Sequence, residues 1–231
     1  MKRVLIIGAG ELGQQIAHYL SESAEHTIVG YVDDWANTGD IFCGYPVLGC
    51  IKDTEMLYHQ RVFDEFLIGI GYKHFNVRKQ LFDQYKSIIP SATYLHSSSY
   101  IDSTSRIGSG VVVLPGCVID YEAVLQDNLF VYSGCVIGHN TQIGAHSMLS
   151  LSVTTGGFSQ VGDSCFLGLK TCVSDNVIIA NHTFCGAGTN VIKDILVENG
   201  VWVGNPARDT LEKISNENPA VHIISYPYCI N

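Results

Sequence analysis

The chain has 231 residues, 46% of them hydrophobic, so it can bury a sizeable core. Its formal net charge of −9 and isoelectric point near 5.3 argue against nucleic acid or an anionic membrane as a partner. No apolar run approaches the roughly 20 residues that span a bilayer. The eight cysteines include no Cys-x-x-Cys pair, and in a chain of this length we expect a reducing, cytoplasmic compartment.

The first ninety residues alternate predicted strands with predicted helices. Apolar runs predict buried strands at 4–7, 27–32 and 65–70. Two helical stretches are predicted: one follows the first strand and ends near Leu20, and the other spans about 74–85. This alternation predicts a small parallel α/β sheet.

A Gly-x-Gly-x-x-Gly motif at 8–13 follows the first predicted strand. Asp33 and Asp34 follow Gly13 at the spacing expected for a carboxylate that contacts ribose. These features favour a dinucleotide such as NAD, although a turn that only packs the helix on the strand explains them too. A region of about 90 residues is too short for two mononucleotide-binding halves, which argues against NAD.

Residues 95–203 repeat with a period of six. Of the 19 positions taken at every sixth residue from Leu95 to Val203, 17 hold Leu, Ile or Val, and the exceptions are Thr155 and Cys185. No insertion interrupts this predicted phase. The next position is glycine in eight of the 19 repeats, which we interpret as glycine at a tight corner with an unusual φ.

The fourth position after each aliphatic residue is mostly small. A period of six matches neither a helix nor a hairpin sheet, and it favours short flat strands separated by corners. One large and one small inward side chain per face would fill a triangular tube of stacked coils. Four cysteines fall on inward positions and are interpreted as core residues: Cys117, Cys135, Cys165 and Cys185.

This repeat resembles that of the hexapeptide-repeat acyltransferases, which form a left-handed parallel β-helix with three hexads per coil. With the α/β region in front of it, the chain resembles the NeuD-type sugar O-acyltransferase family over about 3–208. The best-understood members of that family N-acetylate nucleotide-linked amino sugars. The resemblance implies a nucleotide-sugar-binding α/β domain at 1–92, a β-helix at 93–208 and a C-terminal extension at 209–231.

In that family the N-terminal domain holds the nucleotide part of the sugar substrate. The resemblance implies that this site is formed here by Gly10, Glu11, Leu12, Asp33, Asp34 and Gly71. Backbone amides at the start of the helix would face the diphosphate. Arg78 is a weaker candidate for a phosphate contact.

Acyl transfer to an amine requires a base, and histidine suits this role because it titrates near neutral pH. His139, in Ile137-Gly138-His139-Asn140, lies where the family carries its catalytic histidine, which implies that His139 is the general base. The family generally has an acidic residue next. Asn140 stands there instead and can orient the imidazole, but it stabilises the cation less than a carboxylate would. A solvated corner histidine is the alternative interpretation.

The family binds acetyl-CoA in the groove between the β-helices of a trimer. The resemblance, carried over without gaps, implies CoA contacts from Gly157, Gly168, Leu169 and Ala187. It also places a family histidine that contacts the thioester on Met148. We therefore expect a homotrimer that transfers the acetyl group directly from acetyl-CoA to a nucleotide-linked amino sugar.

Three alternative functions fit parts of the sequence. O-acetylation of a sugar hydroxyl needs the same base, and an NAD-binding protein with an inert β-helix would use the glycine motif. The γ-class carbonic anhydrases place three zinc-binding histidines on the same scaffold. His146 and His182 have the spacing of two of them, but the third position is Ala187, so no metal is expected.

Overall fold

The structure is a computed structural model that describes residues 1–210, so the predicted C-terminal extension lies almost entirely outside the described residues. Its first part is a five-stranded sheet in the order β3-β4-β2-β1-β5, in which only the β3–β4 pair is antiparallel. The strands are β1 (Lys2–Ile7), β2 (His26–Val32), β3 (Ile41–Phe42), β4 (Tyr45–Gly49) and β5 (Glu65–Ile68). The helices are α1 (Glu11–Leu20), α2 (Thr54–His59) and α3 (Phe75–Lys86), with short 3₁₀ turns at Ile51–Asp53 and Tyr72–His74.

The sheet contains the three predicted strands and is flanked by the two predicted helices. β1 lies between β2 and β5, and its residues Val4 to Ile7 are fully buried, as a continuous apolar run in a parallel sheet requires. The third glycine of the motif permits close packing, because a Cβ on Gly13 would lie 1.9 Å from the carbonyl oxygen of Gly8. No elements were predicted between residues 35 and 64, where β3, β4 and α2 form.

The remainder is a parallel β-helix with three faces, as predicted. The first face contains the strands Tyr94–Leu95, Val112–Val113, Phe130–Val131, Met148–Leu149, Phe166–Leu167, Phe184–Cys185, Val201–Val203 and Arg208–Asp209. The second face contains Tyr100–Ile101, Val118–Ile119, Val136–Ile137, Thr154–Thr155, Cys172–Val173 and Asn190–Val191. The third face contains Arg106–Ile107, Val124–Leu125, Gln142–Ile143, Gln160–Val161 and Ile178–Ile179.

We name the corners by the faces they join: the first corner joins the first and second faces, the second corner joins the second and third, and the third corner joins the third and first. Each strand up to the last coil pairs in parallel with the strand three hexads later, as Ile119 does with Ile137. The aliphatic residues therefore stack in columns inside the tube. All four cysteines assigned to inward positions are buried, which confirms their interpretation as core residues.

The glycines of the repeat lie at corners, but the reason predicted for them is wrong. Of the eight glycines that follow a position of the six-residue series, only Gly204 has a positive φ. The left-handed conformation falls at the second position after the glycine, as at Asn140 (φ 56°). Glycine is needed instead because the next coil approaches closely: a Cβ on Gly144 would lie 2.4 Å from the carbonyl carbon of Gly162.

The predicted phase of six is also wrong for the last coil. The phase assigns Val197 to the inward place above Ile179, but Val197 is 62% exposed and Ile195 pairs with Ile179 instead. Likewise, Cys185 pairs with Trp202 and not with Val203, the residue that an unbroken repeat requires. The final turn is therefore shorter than the coils before it.

The outward residues of the first face form what we call the docking row. Its members are Tyr94, Val112, Phe130, Met148, Phe166 and Phe184. They share one apolar cluster with residues of β1, α1 and β2. The ring of Tyr72 packs on that of Phe166 at 4.3 Å, and the Tyr94 hydroxyl donates to the Tyr19 carbonyl at 3.0 Å. The α/β domain is thus seated on one face of the β-helix.

Within the described part of the chain, no helix is long and apolar enough to cross a bilayer.

Candidate active site

A cleft of about 850 Å³ opens at the carboxyl ends of β1, β2 and β5. All the residues predicted to bind the nucleotide sugar line it: Gly10, Glu11, Leu12, Asp33, Asp34 and Gly71. The topology explains this grouping, because ligands of parallel α/β sheets bind outside the carboxyl ends of the strands. The cleft is large enough for a substrate of nucleotide size.

The two aspartates differ in how the protein occupies their oxygens. Asp33 Oδ2 accepts from the Ala9 amide at 2.7 Å, and its Oδ1 accepts from the amides of Trp35 and Ala36. Asp33 therefore fastens the glycine loop to the end of β2. Asp34 Oδ1 accepts from the Ile51 amide at 2.9 Å, and its Oδ2 has no partner among residues 1–210. Asp34 is thus the aspartate with a free oxygen for a ligand.

Sequence reasoning missed several residues of the cleft. Trp35 lines it and is 97% exposed, which offers an aromatic surface to a ligand. Lys73 and His74 bring basic side chains to the side of Gly71, and Tyr132 extends the lining to the β-helix. A tryptophan directly after an acidic pair at the end of a strand was the available signal.

Arg78 is not a phosphate contact. Its side chain is 1% exposed, and its guanidinium donates to the carbonyls of Ile68 (2.8 Å), Ile70 (3.1 Å) and Asn128 (3.0 Å). Burial lowers the pKa of Arg78 to about 9, so the side chain stays charged at neutral pH. Arg78 therefore joins the end of β5 to the third corner of the β-helix.

His139 lies exposed on the second corner of the β-helix. Its Nδ1 is 3.1 Å from Asn140 Oδ1, and the Asn140 amide nitrogen donates to Glu122 Oε2 at 2.7 Å. The Phe158 ring packs edge-on against the imidazole, with centroids 5.1 Å apart. The predicted base is thus oriented by Asn140, as expected, and by a phenylalanine that was not predicted.

Gly157 gives the imidazole its space. A Cβ at this position would lie 2.5 Å from both Cε1 and Nε2 of His139. The Gly157 amide donates to Asp175 Oδ1 at 2.7 Å, and its carbonyl accepts from the Asn176 amide. Gly157 therefore lies at the site, but its amide is already engaged by the protein.

The other predicted CoA-binding residues belong to the first corner. The Gly168 amide donates within the coil stack to the Cys185 carbonyl at 2.8 Å. By contrast, the amides of Leu169 and Ala187 have no acceptor in the described part of the chain. At the third corner the equivalent amide is engaged, since Ala145 donates to the Asp163 side chain one coil later. Ala187 is the residue one coil after Leu169, and its side chain has no acceptor. The backbone amides of Leu169 and Ala187 therefore remain free to donate to a ligand.

Met148 is fully buried in the docking row. The side chain packs beneath the α/β domain, and a thioether lacks the N–H donor of the histidine that the resemblance places here.

His146 and His182 do not form a metal site. Asn128 Nδ2 donates to His146 Nδ1 at 3.0 Å, and the imidazole is buried against the Phe82 ring. His182 is exposed. No group of three or more metal-ligating side chains occurs within residues 1–210.

The burial of His146 predicts a pH-dependent stability. Burial lowers its pKa from 6.5 to about 4, so the unfolded chain binds a proton between these values that the folded chain does not. The free energy of unfolding should therefore fall as the pH drops from 6.5 to about 4, by up to about 3 kcal/mol from this group. Urea denaturation at several pH values measures the free energy of unfolding as a function of pH. The slope of this free energy against pH should be smaller for His146→Gln than for the wild type. His182→Gln, at the equivalent position two coils later, should keep the wild-type slope, and an equal slope in all three proteins would contradict the assignment.

Comparisons with known proteins agree with this geometry. Residues 3–85 match the family model of the PglD N-terminal domain. Among solved structures, PerB of Caulobacter crescentus in complex with CoA and GDP-perosamine is 26% identical, with a TM-score of 0.82 over 90% of this chain and 97% of PerB. A mutant of the perosamine N-acetyltransferase of the same organism, also bound to CoA and GDP-perosamine, is 25% identical, with a TM-score of 0.84 over the same shares.

The acetyltransferase domain of PglB from Neisseria gonorrhoeae in complex with acetyl coenzyme A has the same fold. It is 21% identical, with a TM-score of 0.82 over 90% of this chain and 98% of that domain. Among curated proteins no significant match is found. These similarities confirm the predicted architecture, the resemblance to β-helical sugar acyltransferases and the acyltransferase class.

Proposed function

We propose that this protein is an acetyl-CoA-dependent N-acetyltransferase that acts on the amino group of a nucleotide-linked amino sugar. The observation that carries this proposal is the union in one chain of two features: a nucleotide-sized cleft on the α/β sheet and a β-helix corner that holds His139 with an oriented imidazole. Two structures that are 25% and 26% identical hold CoA and GDP-perosamine, which supports both substrate classes.

His139 acts as the general base in this mechanism. The sugar amine attacks the thioester carbonyl carbon while Nε2 of His139 takes a proton from the nitrogen. The tetrahedral intermediate collapses, the C–S bond breaks, and the imidazolium returns its proton to the departing CoA sulfur. The free amides of Leu169 and Ala187 are donors for the carbonyl groups of the pantetheine arm. No covalent acyl-enzyme is needed when both substrates are held together.

The arrangement of the corners supports a homotrimer. His139 lies on the second corner, whereas Leu169 and Ala187 lie on the first, and the cleft meets the β-helix at Tyr132, also on the first corner. A neighbouring copy that packs its second corner against the first corner of this one would bring base, cleft and amides together. Light scattering should then give three times the 25.2 kDa of one chain. A monomer with full activity would contradict this proposal.

The division into 1–92 and 93–208 and the cytoplasmic location belong to the same proposal. Ser91 and Ala92 still pair with Phe66 of β5, and Tyr94–Leu95 is the first strand of the β-helix, which supports a boundary at residue 92.

A binding and transfer assay tests the proposed function. Thermal shift measurements with UDP, TDP, GDP, CoA and NADH should show stabilisation by CoA and by one nucleoside diphosphate. Mass spectrometry should then detect acetyl transfer to the matching nucleotide-linked amino sugar. Transfer to the hydroxy analogue alone would indicate O-acetylation. Stabilisation by NADH without any acetyl transfer would support the dinucleotide-binding alternative.

Replacing Asp34 with asparagine should weaken binding of the nucleotide sugar alone. The substitution keeps an oxygen for the Ile51 amide but removes the charge and one acceptor from the cleft. We expect the KM for the nucleotide sugar to rise about tenfold, which corresponds to about 1.4 kcal/mol, while the KM for acetyl-CoA stays unchanged. Glu55→Gln changes an exposed acid on α2 outside the cleft and is the matched control. Equal increases in both KM values for Asp34→Asn would refute this division of labour.

A further inference from the structure

We propose that Glu122 is a positioning residue of the active site: it fixes the orientation of the Asn140 amide and thereby holds His139 in the tautomer that a general base requires. This inference rests on the proposed function. The negative charge near the base is then the Glu122 carboxylate, which belongs to the coil before the one that holds His139.

The second corner places Glu122 and Asn140 side by side. They occupy the same position in successive coils, and both have a positive φ, 52° and 56°. Asn140 Nδ2 donates to Glu122 Oε2 at 2.7 Å, and His139 Nδ1 lies 3.1 Å from Asn140 Oδ1. A continuous chain of hydrogen bonds therefore runs from the imidazole to a carboxylate.

The chemistry of these three groups sets the direction of every bond. An ionised carboxylate only accepts, so the Asn140 group that faces Glu122 must be the NH₂. The Asn140 oxygen then faces His139, and because an amide oxygen also only accepts, the proton of the neutral imidazole must be on Nδ1. Nε2 is left with its lone pair, close to Gly157 on the exposed second corner.

Glu122 is itself held in place. The Tyr121 hydroxyl donates to Glu122 Oε1 at 3.0 Å, and the Glu122 amide donates to Thr104 Oγ1 at 2.8 Å. The carboxylate lines a hollow of about 450 Å³ that Arg106 also lines. The nearby ionisable groups include the adjacent Tyr121, Asp102 and Arg106 from the preceding coil, and Asp175 from a later one, beyond Gly157. Without Glu122, either end of the Asn140 amide could face His139.

The tautomer can be measured without any activity. In full-length protein with ¹⁵N-labelled histidine, NMR should find neutral His139 protonated on Nδ1. Glu122→Ala should give a mixture of both tautomers, whereas Glu122→Gln should keep mostly the Nδ1 tautomer, because the glutamine oxygen can still accept from Asn140 Nδ2. Glu198→Gln is the matched control, because Glu198 accepts from Asn181 Nδ2 at 3.0 Å in the same way but away from His139. An unchanged tautomer in Glu122→Ala would overturn the proposal.

Kinetics supply the second readout. With the substrate found in the transfer assay, Glu122→Ala should lower kcat about threefold to tenfold with both KM values unchanged. Glu122→Gln should recover most of the wild-type kcat, because the glutamine oxygen can still accept from the Asn140 amide nitrogen. If the wild type acetylates its substrate and Glu122→Ala keeps the wild-type kcat, the role of Glu122 is disproved. If the wild type acetylates no sugar, the proposed function fails. The NMR experiment then still tests whether Glu122 sets the tautomer of His139.

Discussion

Replacing His139 with alanine should lower kcat by about 10²- to 10⁴-fold, which corresponds to about 3 to 5 kcal/mol of transition-state stabilisation. The imidazole is exposed on the second corner, so its removal leaves no cavity in the β-helix core. Both KM values should stay within about threefold of the wild type, because the base assists proton transfer more than binding. Steady-state kinetics with each substrate varied in turn measures both quantities.

His182→Ala is the matched control for this experiment. His182 is also an exposed corner histidine, but on the third corner, and its loss should change kcat by less than about twofold. A wild-type kcat for His139→Ala would show that this histidine is only a solvated corner residue, and the base would have to be sought elsewhere.

Replacing Arg78 with methionine should lower the free energy of unfolding by about 3 to 5 kcal/mol, or about 10 °C in Tm for a chain of this size. Methionine fills a similar volume, but it leaves the carbonyls of Ile68, Ile70 and Asn128 without their donor. One of these carbonyls belongs to the β-helix, so the substitution also loosens the seat of the α/β domain. Thermal and urea denaturation measure the loss.

Lys79→Met, on the neighbouring residue of α3, separates this effect from a change in the helix itself. Lys79 forms only an exposed ion pair with Asp83, which is worth about 0.5 kcal/mol or less. If Arg78→Met kept the wild-type Tm and raised only the KM for the nucleotide sugar, the earlier interpretation of Arg78 as a phosphate contact would be correct.

The features that could be predicted from the sequence are those that depend on residues close together in the chain. The period of six follows from side chains that alternate along each strand, and the glycine motif follows from the turn between β1 and α1. The residues that the resemblance assigns to the nucleotide sugar lie together in one cleft, because the carboxyl ends of parallel strands meet at one edge of a sheet. Asp33 and Asp34, however, look alike in the sequence and differ only in which backbone amides reach them.

What was missed depends on residues that are distant in the chain. Arg78 is placed by Asn128, far along the chain in the β-helix, and no pattern around either residue indicates that contact. Glu122 meets Asn140 only because the corners of successive coils stack. The docking row left a readable signal, since one outward position in every third hexad is large and apolar.

The docking row has one residue in each coil, whereas the inward aliphatic positions recur in each hexad. A deletion of one hexad in the β-helix would therefore preserve the core and turn every later residue onto a neighbouring face. If the deletion preceded Phe166, this residue would lose its contact with Tyr72, and only part of the docking row would still face the α/β domain. Only a deletion or insertion of a whole coil keeps both rows aligned. Changes in length among related chains should thus come in steps of one whole coil, and most freely beyond Phe184, where the docking row ends.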